Sequence, residues 1–178
     1  MISYRCIINQ FVFATLFGIM AVGCGHQKEM KQSDYKVSTN DLVKMNREMV
    51  NQESAVIERF VNEKGYKMTK TSTGMWYRMD VEGQGEQAKV GQTVYIRYTI
   101  RLLDESICYS SDSLGVKSFR LGQGGVESGL EEGLLLMKKN GKATFIMPSY
   151  LAHGLTGDQN KIPSRSILIY ETELVDLH

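Results

Sequence analysis

Val94-Tyr95-Ile96-Arg97-Tyr98-Thr99-Ile100-Arg101-Leu102 is the segment from which the fold is read. β-branched and aromatic residues alternate with Arg97 and Arg101, as in a strand with one face buried and one in water. Before it, Met75-Trp76-Tyr77-Arg78-Met79 is rich in strand formers, and Gly83, Gly85 and Gly91 mark turns. After it, Ser118–Leu121, Lys142–Met147 and Ser166–Val175 predict further strands. Ser128-Gly129-Leu130-Glu131 has capping-box spacing and predicts a short helix through Leu134, Leu135, Leu136 and Met137, ending near Asn140-Gly141. Successive strands with one embedded helix give an α+β domain.

Upstream, Ser38-Thr39-Asn40 can cap a helix, and Gly65 can stop it. Between them Leu42, Val43, Met49, Val50, Val56, Ile57, Phe60 and Val61 recur at heptad-like spacing. One amphipathic helix about 36 Å long is expected over 38–65. Its apolar stripe packs on its own domain, or else serves as a homodimer seam through residues 40–64 or a strut. Residues 25–36 are polar and lack periodicity, as in a tether.

The chain opens with a single charge, Arg5, and an apolar run from Ile7 to Val22. That run is shorter than the ~20 residues a spanning helix needs, so residues 1–23 read as a signal peptide. It ends in Ala21-Val22-Gly23-Cys24, which resembles a bacterial lipobox with Cys24 as the lipidated first mature residue, so that 24–37 is the tether. Cys6 then departs, and Cys108 is left without an intrachain partner. Lys and Arg total 21 against 20 Asp and Glu. This balance excludes nucleic acid as the main partner, because phosphate binding needs a cationic surplus. Losing Arg5 brings the charges to parity, so the lipid and not a basic patch would hold the membrane.

Reactive-site patterns are missing. Gly83-Gln84-Gly85-Glu86-Gln87-Ala88 matches a dinucleotide fingerprint only as a string, since a strand and not a helix follows it. His26, His153 and His178 are scattered, with no ligand spacing for a metal. No serine lies in a Gly-x-Ser-x-Gly elbow, and Glu131-Glu132 point apart on a helix. The residues alone describe an α+β domain without acid/base, nucleophilic or metal chemistry, and no cofactor is expected.

The segment from Val94 to Leu174 resembles the FKBP family of peptidyl-prolyl isomerases. Its landmarks are Val94–Thr99, Tyr109-Ser110-Ser111, Phe119-Arg120-Leu121-Gly122, Val126–Gly133 and Met147-Pro148. Leu151-Ala152-His153-Gly154, Ile162-Pro163 and Tyr170–Leu174 complete them. The whole chain is similar to the lipoprotein branch of the family in Bacteroidetes, some members of which are labelled gliding-motility-associated. The resemblance implies a curved antiparallel sheet wrapped on one short helix, with an aromatic-lined hollow between them. It implies residues 66–178 as the isomerase domain and proline-containing polypeptides as partners.

By the same resemblance, Tyr98, Phe119, Val126, Tyr150, Ile162 and Tyr170 line the hollow and Leu130 forms its floor, commonly Trp in active members. Tyr98, Tyr109, His153 and Tyr170 stand at the catalytic positions. Val126 and Glu127 hold the peptide through their backbone, so the Glu127 side chain need not matter. His153 replaces a donor tyrosine, and Cys108 with Tyr109 replaces a Phe-Asp pair, so a wall and a carboxylate are lost. The implied activity is folding assistance at X-Pro bonds of exported proteins, from an outer-membrane lipid anchor facing the periplasm. The alternative is a weakly active chaperone or binding subunit of an envelope complex. Plugging of the hollow by Cys108 and His153 would exclude catalysis.

Overall fold

A computed structural model describes residues 38–178. Residues 1–37, on which the expected signal peptide, lipidated Cys24 and tether fall, lie outside the described residues. Helix α1 (Thr39–Glu63) starts at a true capping box. Ser38 Oγ accepts the Asp41 amide at 3.2 Å, and the Asp41 carboxylate accepts the Ser38 amide at 3.3 Å. At its far end Gly65 adopts φ +65°, and the Tyr66 amide returns to the Val61 carbonyl at 2.9 Å. Only Ile57 and Val61 of the helix are buried, in a cluster with Ile146 and Ile169 flanked by Phe60, Tyr66 and Trp76. The expected continuous stripe is thus cut short: Leu42, Val43 and Val56 are exposed, and the two N-terminal turns touch little.

Seven strands form one antiparallel sheet: β1 (Thr69–Lys70), β2 (Trp76–Val81), β3 (Thr93–Leu102), β4 (Ile107–Ser110), β5 (Lys117–Arg120), β6 (Lys142–Met147) and β7 (Leu168–Leu177). Their order is β1-β2-β6-β7-β3-β4, and β5 also pairs with β3. Along β3, Val94, Ile96 and Ile100 are buried and Tyr98 is half-buried against the same core. The opposite face carries Arg97 and Arg101, which pair with Glu173 and Glu171 of β7 at 3.8 and 3.1 Å. The period-2 alternation therefore sets this strand's two faces.

One edge of β3 runs along β7 for its length, and the other is shared. β5 takes Thr93–Ile96, and β4 takes Thr99–Arg101. Between β4 and β5 lies a one-turn helix, α2 (Ser111–Leu114), capped by the Ser110 side chain. Neither β4 nor α2 stands out in the sequence, because Ile107-Cys108-Tyr109-Ser110 shows no alternation of apolar with charged residues.

Helix α3 (Ser128–Leu135) buries Leu130 and Leu134 in the main core with Phe145, Met147, Leu168 and Tyr170. Its expected capping box does not form: Glu127 is the N-cap and makes no side-chain cap bond. Glu131 instead accepts the Gly122 amide at 3.0 Å, and Ser128 Oγ turns towards the Leu151 carbonyl at 3.5 Å. The helix also stops at Leu135, before Asn140-Gly141, so that Met137 can enter the core.

Gly133 sets how closely α3 approaches the sheet. A Cβ there would stand 2.7–2.8 Å from three ring atoms of the fully buried Phe145. Ala gains about 1 kcal/mol over Gly in a helix, but overpacking a rigid aromatic costs about 1–3 kcal/mol. Gly133→Ala is expected to lower stability despite its better propensity. A urea midpoint above the wild type's would contradict this packing.

Candidate functional site

Gly124 and Gly125 (φ +72° and +88°) turn the chain from β5 towards α3, delivering Val126 and Glu127 to the open end of the core. These left-handed angles suit glycine because it lacks a Cβ. From β7, the Tyr170 hydroxyl donates to Glu127 Oε1 at 2.5 Å. From the turn after the 3-10 helix Ser149–Leu151, His153 Nε2 stands 2.9 Å from the same oxygen. The Glu127 side chain is 8 % exposed, and its Oε2 is buried with no partner. Burial pushes the Tyr170 hydroxyl far above the ordinary tyrosine range, and the Glu127 charge and hydrogen bond reinforce this. Tyr170 therefore stays a neutral donor. The Glu127 side chain is thus a fixed part of the site, contrary to the expectation that only its backbone would matter.

Next to this trio lies an open hollow of about 330 Å³, lined by Lys117, Val126, Glu127, Ala152 and His153 among others. Lys117 Nζ sits 6.0 and 5.9 Å from the ring centres of Tyr98 and Phe119, so both aromatics border the same place. Lys117 escaped the sequence reading, although the alternation of Lys117-Ser118-Phe119-Arg120 puts it on Phe119's face. Burial first, then the Glu127 charge, raises the Tyr98 hydroxyl's pKa.

Leu130 and Ile162 are buried in the main core cluster. Cys108 is buried in the core too, its thiol 3.7 Å from the Lys161 carbonyl. Burial, followed by the charges of Asp158 and Asp104, holds that thiol above its usual range, so it packs as a small hydrophobe. His153 lies at the rim, about a third exposed, and the hollow beside it stays open.

Tyr109 has a different task. Its hydroxyl donates to Asp158, which also accepts the amides of Ile162 at 2.8 Å and Asn160 at 2.9 Å. Asp158, unmarked in the sequence reading, puts a carboxylate beside the Tyr109 hydroxyl, in the loop that carries Ile162. Burial opposes its ionisation, yet these hydrogen bonds and the nearby His153 outweigh that and lower its pKa to about 2. Such a depressed group stabilises the fold above the unfolded value near 3.9 and loses that contribution as pH falls towards about 2. Tyr109→Phe should leave a shallower loss of stability between pH 5 and 2, seen by denaturant unfolding at several pH values. An unchanged slope would detach Tyr109 from Asp158.

Tyr150 does not join the hollow. Its hydroxyl donates to the Thr73 carbonyl at 2.8 Å, and its ring borders a groove against Met49, Val50 and Glu53 of α1. Beside it, Glu53 accepts both the amide (2.7 Å) and the hydroxyl (2.6 Å) of the buried Ser149. The turn that carries His153 is thereby fastened to the N-terminal helix, a link between residues 96 apart that no local pattern shows. Glu53→Ala leaves both Ser149 groups unpaired and should cost about 1–3 kcal/mol by thermal or chemical unfolding. No loss of stability would mean the contact is incidental.

Among the described residues no group of three His, Cys, Asp or Glu side chains is placed to hold a metal. No described helix is long and apolar enough to cross a membrane. The site offers a fixed carboxylate, two neutral phenols, an imidazole and a partly greasy wall, and no activated nucleophile.

Comparison with known proteins fits this description. The profile of the FKBP-type peptidyl-prolyl cis-trans isomerases matches residues 84–175. The chain belongs to that family. It is 39% identical over 121 residues to the FKBP-type peptidyl-prolyl cis-trans isomerase FkpA of Escherichia coli K12, covering 67% of this chain and 43% of that protein. It is 35% identical over 112 residues to FK506-binding protein 2 of Yarrowia lipolytica, covering 62% and 78%. Of solved structures, FkpA from Escherichia coli aligns with TM-score 0.63 and 28% identity over 99% of this chain and 73% of that one. AtFKBP13 aligns with TM-score 0.61 and 27% identity over 63% and 99%. The chain spans less than half the length of the Escherichia coli relative.

Proposed function

We propose that this protein is a peptidyl-prolyl cis-trans isomerase acting on proline-containing polypeptides. The observation that carries the reading is the open hollow lined by Val126, Glu127, Ala152 and His153, with Lys117 reaching from it over the Tyr98 and Phe119 rings. An X-Pro bond turns over in tens to hundreds of seconds because amide resonance sets a barrier of about 18–20 kcal/mol. No proton or electron pair must move. A wall that excludes water favours the twisted amide, which is less polarised than the planar one, and fixed donors can hold flanking carbonyls. Val126 and Ala152 line the hollow and Tyr98 and Phe119 border it, while the Tyr170 and Tyr109 hydroxyls are committed to Glu127 and Asp158 and so fix the shape of the site. Cys108 supports them from the core.

The second reading, a binding subunit with little turnover, draws on the charged groups Lys117 and Glu127 in a place where desolvation matters. Protease-coupled isomerisation of a Leu-Pro peptide separates the two. Catalysis lost in Tyr98→Ala supports the isomerase; a rate equal to buffer, with peptide still bound, supports the binding subunit.

We also propose that Cys24 carries a lipid anchoring the protein to the outer membrane on its periplasmic side, where exported chains fold. The lipobox-like residues 21–24 support this, and incorporation of labelled palmitate that is abolished by Cys24→Ala tests it. The exposed Leu42, Val43 and Met45 favour a homodimer through residues 40–64, which sedimentation would reveal.

A further inference from the structure

Ser149 is the hub of the turn that forms one rim of the hollow. Its carbonyl accepts the amides of Ala152 at 3.0 Å and Gly154 at 2.8 Å, the two residues that flank His153. Ala152 and His153 both line the hollow. The backbone at Ser149 therefore decides where that stretch of rim stands. Nothing local fixes it. Ser149 is buried and opens the 3-10 helix Ser149–Leu151, whose N-cap, Pro148, makes no side-chain cap bond. A buried amide at a helix start needs an acceptor. Here it comes from α1: the two carboxylate oxygens of Glu53 accept the Ser149 amide at 2.7 Å and the Ser149 hydroxyl at 2.6 Å.

Glu53 is itself held in place. Four residues on, along the same face of α1, Ile57 is fully buried in a cluster with Ile146 and Ile169. The adjacent Ser54 accepts Lys70 Nζ of β1 at 2.7 Å. The sheet thus sets both the rotation and the height of the half-buried Glu53. An ionised acceptor makes a stronger tie than a neutral one. At the other end of the turn, His153 Nε2 stands 2.9 Å from Glu127 Oε1. An unbroken run of contacts leads from α1 through Ser149 to His153 and Glu127.

We propose that Glu53 is a positioning residue for the isomerase site. Through Ser149 it holds Ala152 and His153 at the rim of the hollow, so the N-terminal helix sets the geometry of the site without touching substrate. The inference rests on the hollow's being the site for X-Pro segments.

The test uses the full chain. The His153 imidazole signals are followed by NMR, assigned by their loss in His153→Gln, and turnover of a Leu-Pro peptide is measured per folded molecule. Glu53→Ala is expected to shift and broaden the His153 signals and to lower kcat/KM about tenfold, within the roughly hundredfold that a misplacement of about 1 Å can cost. Glu53→Gln can accept from the Ser149 amide and donate to its hydroxyl, and should bring both readouts back close to wild type. Glu53→Asp withdraws the carboxylate by one methylene and should fall between; it carries the test if Glu53→Ala does not fold. His153 signals unmoved in the folded Glu53→Ala or Glu53→Asp protein overturn the proposal. So does turnover per folded molecule equal to wild type. The signals need no catalysis: if the wild type turns over no peptide, the isomerase reading falls, while displaced His153 signals in Glu53→Ala leave the tie from α1 to the rim standing.

Discussion

Tyr170→Ala is expected to cost about 3–5 kcal/mol of stability, the range for deleting a large buried ring, and to remove turnover in whatever fraction remains folded. The ring is 1 % exposed, stands near the start of β7 and is cross-strand partner to both Phe145 and Ile100. Collapse around the void is restricted because both neighbours belong to the sheet itself. The same change strips the buried Glu127 carboxylate of a hydrogen bond. Tyr170→Phe separates these effects, since it keeps the ring and should cost about 1–3 kcal/mol through the hydrogen bond lost at Glu127 Oε1, which retains only His153. Urea unfolding monitored by circular dichroism measures both. Equal stability of Tyr170→Phe and wild type would mean that Glu127 is not held by Tyr170.

Ile57→Ala should have the next largest effect, about 2–5 kcal/mol. Ile57 is fully buried where α1 lies on the outer face of the sheet, against Ile146 and Ile169. Trp76, the chain's single tryptophan, belongs to the same cluster and reports on it directly. Loss of the contact should appear as red-shifted Trp76 emission before global unfolding. As the helix loosens, Glu53 loses its hold on Ser149, and the His153 turn gains freedom. Emission that shifts only with global unfolding would mean that the helix does not open separately from the sheet.

How far these features could be read in advance follows from the range of the forces involved. β3, β6, β7 and α1 announce themselves through alternation, heptad-like spacing and capping residues, all of which act within a few positions. Tyr98, Phe119, Val126 and Tyr170 are singled out only because they belong to segments whose spacing resembles one family. What escaped was tertiary. Glu127 looks like a surface acid until Tyr170 and His153 close over it, and Asp158 looks like a loop residue until Tyr109 bends to it. Tyr150 lies at a site-like position in the string but faces α1, which arrives from a hundred residues away. The false capping box at Ser128 makes the same point: Glu131 had a better partner in the Gly122 amide, which only the folded chain supplies.

Exchange spectroscopy by NMR on a Leu-Pro or Arg-Pro peptide, with a small fraction of the full chain added, tests the central claim most directly. It reads rotation about the prolyl bond itself, without a coupled protease. The account predicts cis–trans exchange faster than the uncatalysed tens to hundreds of seconds, with the gain abolished in Tyr98→Ala. Exchange no faster than in buffer, under conditions where the peptide is demonstrably bound, would contradict it.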